Sequence, residues 1–296
     1  MSSLINSMPK VRGELFSDVN ISSSSWFKVG GPAELLYIPA DELDLINFMI
    51  NLDAEIPIFV IGASSNILIR DGGIKGVVIK LGNSFKGINL HNNKLLVGAY
   101  LNNMILAKYA HNNRLLGFDF LSGIPGTVGG SIKMNAGCYG MEMADIIIKI
   151  KVIDRLNGIS VISAKDLNME YRKSTLPNDT VIISAYLKVN KEINNNAINH
   201  TNIKEKRLKS QPINQLTGGS TFKNPPGYKA WKLIEKAGCR GLSIGGAKIS
   251  DMHTNFIINY NNATAKDIET LGNIVRDKVY RNSGIKLDWE ILKVGF

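Results

Sequence analysis

Apolar and polar positions along this chain follow two periods, and these set the elements expected. Residues 33–38 form an apolar run after the turn Val29-Gly30-Gly31-Pro32 and read as a strand. Asp41 then stands as N-cap for a helix over 42–52. A short apolar strand over 57–61 ends at Gly62, and Gly72-Gly73 turns the chain into a strand over 77–81. Another strand is expected at 94–99. Residues 101–114 fit one amphipathic helix with Leu101, Ile105, Leu106 and Tyr109 on its apolar side. Residues 146–153, 160–163 and 181–189 read as further strands. The Asn-rich stretch 190–202 loses periodicity; it reads as a linker or the loosely held start of a helix, with a domain boundary nearby. Beyond it lies a smaller α/β unit. Helices are expected at 227–238 and 264–283 and strands at 255–260 and 286–294, with Thr264 and Asp267 spaced as a capping box.

Composition narrows the classes. The chain has 296 residues, 44% hydrophobic and 20% charged, which is ordinary globular composition with room for two or three domains. No apolar run approaches the roughly 18 residues that span a bilayer. The start, MSSLINSMPKVRGELF, lacks the order of a secretion signal, so a cytoplasmic location is expected. Cys138 and Cys239 are far apart with no ligand spacing around them, so free thiols and no metal site are expected. The net charge of +10 suits a nucleic acid or an acidic small molecule. Basic residues are spread along the chain, and the one dense run, Lys204, Lys206, Arg207 and Lys209, has the look of a solvated helix face. No basic stripe interleaved with aromatics is visible, so an anionic small molecule fits at least as well.

Candidate chemistry concentrates in a few blocks. Residues 117–140, GFDFLSGIPGTVGGSIKMNAGCYG, are glycine-dense yet apolar. Such backbone either folds tightly on itself or lets N–H groups converge on an anion such as a pyrophosphate. Gly62, Ala63, Ser64, Ser65 and Asn66 follow a strand directly and form a second small-residue loop. That loop is neither a Walker loop nor a dinucleotide fingerprint. A dinucleotide with two phosphates and two ring systems could use both loops. Tyr171-Arg172-Lys173-Ser174 places an arginine that is either a surface residue or a fixed cation aimed at developing charge. The stretch 218–226, GGSTFKNPP, is a tight turn or a site; Ser220 lacks the partners of a hydrolase nucleophile but could donate a proton. Glu290 is a carboxylate on an otherwise apolar terminal strand, where Asp288 and Glu290 would share one face. His253 reads better as a structural histidine than as a ligand.

Taken in order, GASSNILIRDGG, LSGIPGTVGGSIKMNAGCYG, YRKS, GGSTFKNPPG and LDWE resemble the UDP-N-acetylenolpyruvoylglucosamine reductases, from about residue 25 to the C-terminus. The brevity of the region between Tyr171 and Lys204 resembles the shorter form of that family. The resemblance implies an α+β protein. It would have an FAD-binding fold of the vanillyl-alcohol-oxidase type in two lobes, 1–86 and 87–200, and a C-terminal α/β substrate lobe, 201–296. It implies FAD as cofactor and NADPH as co-substrate. The reaction would reduce an enolpyruvyl UDP-sugar nucleotide to UDP-N-acetylmuramate for cell-wall peptidoglycan. A monomer with no nucleic-acid or membrane partner is expected.

By the same resemblance, Arg172 and Glu290 would stabilise the enolate-like intermediate and Ser220 would deliver the proton. FAD would contact Gly62, Ala63, Ser64, Ser65, Asn66, Ile124, Pro125, Gly126, Thr127, Gly129, Gly130, Asn135 and Gly137. Tyr171, Lys223 and Asn224 would reach the substrate, with Tyr139, Asn135 and Lys229 as weaker candidates for lining its cleft. Two positions depart from the family pattern. Lys28 stands where arginine is frequent, losing the bidentate fork. Ser64 stands where glycine is common, so that loop must accommodate a Cβ.

Overall fold

The computed structural model describes residues 3–189 and 200–296. Most of the Asn-rich stretch thus lies outside the described residues, and a helix, His200–Ser210, follows it. The chain forms two compact units. Met1–Val19, Glu34–Ala63 and Lys75–Glu205 make the first; Asn20–Ala33, Ser64–Ile74 and Lys206–Phe296 make the second.

Among its described residues the first unit holds two larger sheets and a two-stranded pair, Gly137–Cys138 with Met141–Glu142. One larger sheet is ordered Glu14–Asn20, Pro32–Ile38, Ile74–Lys80, Ile58–Ile61. Its last two strands are parallel, with Ile58 opposite Val77 and Ile61 opposite Lys80. Parallel neighbours need a crossover, and here it is the segment that leaves at Gly62 and contributes Ser64–Ile74 to the second unit. The other sheet is antiparallel, ordered Gly158–Ser163, Ile147–Asp154, Val181–Lys188, Lys94–Gly98, Ile88–His91. Leu35, Tyr37 and Phe48 share one continuous core with Leu95, Val97, Phe118, Phe120, Val152 and Leu187. The glycine block therefore sits on core, which explains its apolar side chains.

Local signals account for most of these elements. Asp41 caps the helix Glu42–Asn51, its side chain accepting from the Asp44 N–H. The buried Asp44 carboxylate accepts from the N–H groups of Arg12, Gly13 and Ala40 and from the Tyr37 hydroxyl. The next helix corrects the expectation. It spans Asn103–Asn112, with Asn102 as N-cap, and buries Asn103, Leu106, Ala107 and Ala110. That set is one helical stripe at i, i+3, i+4 and i+7, so Ile105 points outward and is 56% exposed. Leu101 is buried but precedes the helix.

The second unit packs the helix Ala265–Ser283 on an antiparallel sheet of Ser243–Ile244, Ala247–Ile249 and Ile257–Asn259. Thr264 and Asp267 form the expected capping box. The closing strand is shorter than the apolar pattern suggested, Leu292–Val294, and pairs in parallel with an unanticipated strand, Ile67–Ile69. Phe27, Leu68, Phe222, Ile257, Leu271 and Leu287 belong to its core.

Candidate active site

In the first unit the two small-residue loops meet. A Cβ built on Gly62 would stand 2.5 Å from the Thr127 hydroxyl. Only a residue without a side chain lets the end of the strand Ile58–Ile61 approach the second loop this closely. Thr127 caps the short helix Val128–Lys133 through the Gly130 N–H. The N–H groups of Val128 and Gly129 bond to the carbonyls of Leu101 and Ala99, and that of Ile124 to Leu121. Main-chain donors at Ile124, Gly129 and Gly130, expected to grip a phosphate, thus have partners within the protein. These bonds hold the loop's shape. Asn103 assists from beneath, donating to the Ile124 carbonyl and the Ser131 hydroxyl.

Arg172 is tied to the same block. Its guanidinium donates to the Gly137 carbonyl at 2.8 Å and lies over the exposed Tyr171 ring at 4.9 Å. Asn135, fully buried, accepts from the Ala144 N–H and donates to the Glu170 carbonyl. The Ser174 hydroxyl donates to the Lys133 carbonyl, and the Lys133 ammonium reaches the Leu176 and Pro177 carbonyls. The Asn135 amide therefore positions the Arg172 segment. Burial pushes the Lys133 ammonium below its ordinary pKa.

In the second unit the other candidates converge. Glu290 donates its N–H to the Thr221 carbonyl at 2.9 Å, next to Ser220. Phe222 faces Trp289 across an isolated bridge, and Lys223 donates its N–H to Asp288. On the other side, the Asn66 side chain donates to the Glu290 carbonyl at 3.0 Å, and the Asn66 carbonyl accepts from Leu292. Asn66, the Ser220 segment and the Glu290 segment thus lie side by side. Asn224 is exposed and accepts from the Ala230 N–H at the start of the helix Ala230–Lys236. Lys229 is exposed just before that helix. His253 accepts from the Asn255 N–H through Nδ1 and packs between Trp231 and Phe256. Burial lowers its pKa, as a structural histidine requires.

Backbone strain marks several of these residues. Lys28, Ser64, Asn135, Tyr139 and Arg172 all have positive φ, between 44° and 57°, a conformation that side chains disfavour and that clusters at functional sites. Ser64 accommodates its Cβ at φ 53° while remaining buried, and its Oγ has no hydrogen-bond partner among the described residues. A buried hydroxyl in that state is matched by a bound group with polar oxygens. Within the first unit, the close loop approach at Gly62, where no Cβ stands, is a fit for a dinucleotide such as FAD. Lys28 directs its ammonium to the Ser23 carbonyl. Sequence reasoning missed Asn103 and Asn255, whose isolated sequence context carries no signal, and took Thr221 only as part of the block 218–226.

Comparison with known proteins decides the family. Residues 211–294 match the UDP-N-acetylenolpyruvoylglucosamine reductase C-terminal domain, and residues 33–162 match the FAD binding domain. The chain is 48% identical over 289 residues to the UDP-N-acetylenolpyruvoylglucosamine reductase of Rickettsia typhi, covering 97% of this chain and 98% of that one. The chain belongs to the UDP-N-acetylenolpyruvoylglucosamine reductase family. The Rickettsia conorii reductase is also 48% identical with the same coverage. The crystal structure of the Thermus caldophilus reductase superposes with a TM-score of 0.83 at 32% identity, covering 97% of this chain and all of that one. As a reductase of this family, the protein is an FAD-containing oxidoreductase serving peptidoglycan-precursor synthesis. Its fold is α+β, with the FAD-binding architecture of the vanillyl-alcohol-oxidase type. Among the described residues no helix is long and apolar enough to cross a membrane, and no group of acidic, histidine or cysteine residues has metal-site geometry.

Proposed function

We propose that this reductase takes electrons from NADPH and converts UDP-N-acetylenolpyruvoylglucosamine to UDP-N-acetylmuramate, with Arg172, Ser220 and Glu290 as its catalytic residues. Bound FAD supplies hydride transfer from NADPH to the β-carbon of the enolpyruvyl ether. Adding hydride there loads negative charge onto the substrate carboxylate and α-carbon. The Arg172 guanidinium offers donors to that charge, and its bond to the Gly137 carbonyl restrains where they point. Glu290 assists, and Ser220 delivers the proton to the α-carbon. Pairing of the Thr221 carbonyl with the Glu290 N–H at 2.9 Å supports these roles most directly, since it puts a hydroxyl and a carboxylate on adjoining segments.

The coenzyme would lie along Gly62, Ala63, Ser64, Ser65 and Asn66 and against Ile124, Pro125, Gly126, Thr127, Gly129, Gly130, Asn135 and Gly137. Tyr171, Lys223 and Asn224 would meet the sugar nucleotide, whose phosphates suit a chain of net charge +10. Residues 1–86 and 87–200 would be the two coenzyme lobes and 201–296 the substrate lobe. One sheet of the first unit is built from strands up to Lys80 and the other from strands beginning at Ile88, in keeping with that division. The reading has the enzyme working as a cytoplasmic monomer of the shorter form.

The test is spectroscopic. Purified protein should be yellow, bleach with NADPH and recover its colour on adding the enolpyruvyl sugar nucleotide. Ser220→Ala should bleach at nearly the native rate and recover about 10²- to 10⁴-fold more slowly, the range for losing a positioned proton donor. Equal slowing of both steps would remove Ser220 from that role.

A further inference from the structure

The segment that carries Ser220 is flanked on both sides but forms a ladder with neither neighbour. Ser220 bridges Phe256 on one edge, and Phe222 bridges Trp289 on the other, each as an isolated pair. Asn255 supplies what the missing ladder would. Its Oδ1 accepts the Phe222 N–H at 3.0 Å, and its Nδ2 donates to the Phe222 carbonyl at 2.8 Å. Its own main-chain carbonyl accepts the Thr221 N–H at 2.8 Å. One asparagine thus satisfies three polar groups of two consecutive residues, in the manner of a strand partner. The Thr221 hydroxyl adds a fourth link, accepting from the Ile257 N–H at 3.2 Å.

The setting is dry. Thr221 and Phe222 are each 1% exposed and Asn255 5%, so no solvent is at hand to replace a lost partner. Residues 221–222 are therefore pinned at one orientation, with Glu290 paired to the outward Thr221 carbonyl. Ser220 is the next residue along and is only half-buried. We propose that Asn255 is a positioning residue for Ser220: its amide fixes the peptide groups of residues 221–222 and so sets where the Ser220 hydroxyl stands beside the Glu290 segment. The inference rests on reading Ser220 as the proton donor. It differs from a purely structural role in one respect. A structural bolt would weaken every function of the unit, whereas a positioning residue slows the proton-dependent step selectively.

The experiment uses FAD-loaded enzyme in stopped flow, in H₂O and D₂O. It follows bleaching by NADPH and recolouring by UDP-N-acetylenolpyruvoylglucosamine separately. Asn255→Asp keeps the shape and the acceptor for the Phe222 N–H but loses the donor to its carbonyl; Asn255→Ala loses both. Either variant should bleach within about twofold of the native rate and recolour at least about tenfold more slowly. The solvent isotope effect on recolouring should rise, because proton delivery becomes limiting. In a Ser220→Ala background, the same change at Asn255 should cost less than about threefold more, since two residues acting through one group are not additive. Should Asn255→Ala fail to fold, Asn255→Asp carries the test. Equal slowing of both steps, or an undiminished cost in the Ser220→Ala background, would overturn the proposal. Native recolouring by Ser220→Ala itself would instead sink the proton-donor reading, and this inference with it.

Discussion

Glu269 shows how one part-buried carboxylate is tuned by its neighbours. Arg70 donates to it through Nε and Nη2 at 2.9 and 3.0 Å, and Lys293 adds a third bond at 2.9 Å. Hydrogen bonding to Arg70 is the main reason its pKa falls from 4.5 to about 2; burial opposes the shift and Lys293 reinforces it. A carboxylate whose folded pKa is depressed stabilises the fold above its unfolded pKa and loses that contribution as pH falls through the folded one. Stability on the order of 3 kcal/mol should therefore drain away between pH 4.5 and about 2. Urea midpoints measured across that window should fall less steeply for Glu269→Gln than for the native protein; parallel curves would rule the effect out. At the same scale, Ser64 and Arg172 hold left-handed backbone with full side chains. Sequence gives such residues away only as departures from glycine, as at Ser64. At Arg172 nothing in the chain announces it.

Among the elements, the helix Ala265–Ser283 does more than cover a sheet. At Gly272 a Cβ would stand 2.2 Å from Trp289, and Trp289 is the bridge partner of Phe222. Gly272→Ala gains roughly 1 kcal/mol of helix propensity but overpacks the Trp289 ring, which typically costs 1–3 kcal/mol. The overlap should win. Thermal unfolding at a lower temperature is expected, together with reduced turnover, because Glu290 follows Trp289 directly; a raised unfolding temperature would contradict this. Helix placement was legible where a cap residue announced it, as at Asp41 and at Thr264 with Asp267. Over 101–114 the apolar pattern misplaces the helix face, because Ile105 is apolar but off the buried stripe. The closing strand was overextended because apolar residues beside the Ser220 segment pair singly rather than as a ladder.

For the whole molecule, a coenzyme that binds only the folded chain should stabilise it by mass action. At FAD concentrations one hundred times the dissociation constant, the gain is about 2.7 kcal/mol. Unfolding followed by tryptophan fluorescence should move to higher temperature as FAD is titrated in. An unmoved transition at saturating FAD would argue against the fit of Ser64 and the paired loops. The net charge of +10 suits phosphate-bearing ligands, so affinity for the sugar nucleotide should decline as salt screens it.

The order of blocks along the chain was enough by itself to identify the family and to nominate Arg172, Ser220 and Glu290, because glycine-rich turns and short polar motifs are local and survive in one dimension. Tertiary structure alone decided the rest. Asn255 reaches Phe222 across 33 residues, Asn66 reaches Glu290 across 224, and Asn103 reaches Ile124 across 21. A side-chain amide carries no periodicity and no motif; its role exists only once burial has removed water and left a particular peptide group in need of a partner.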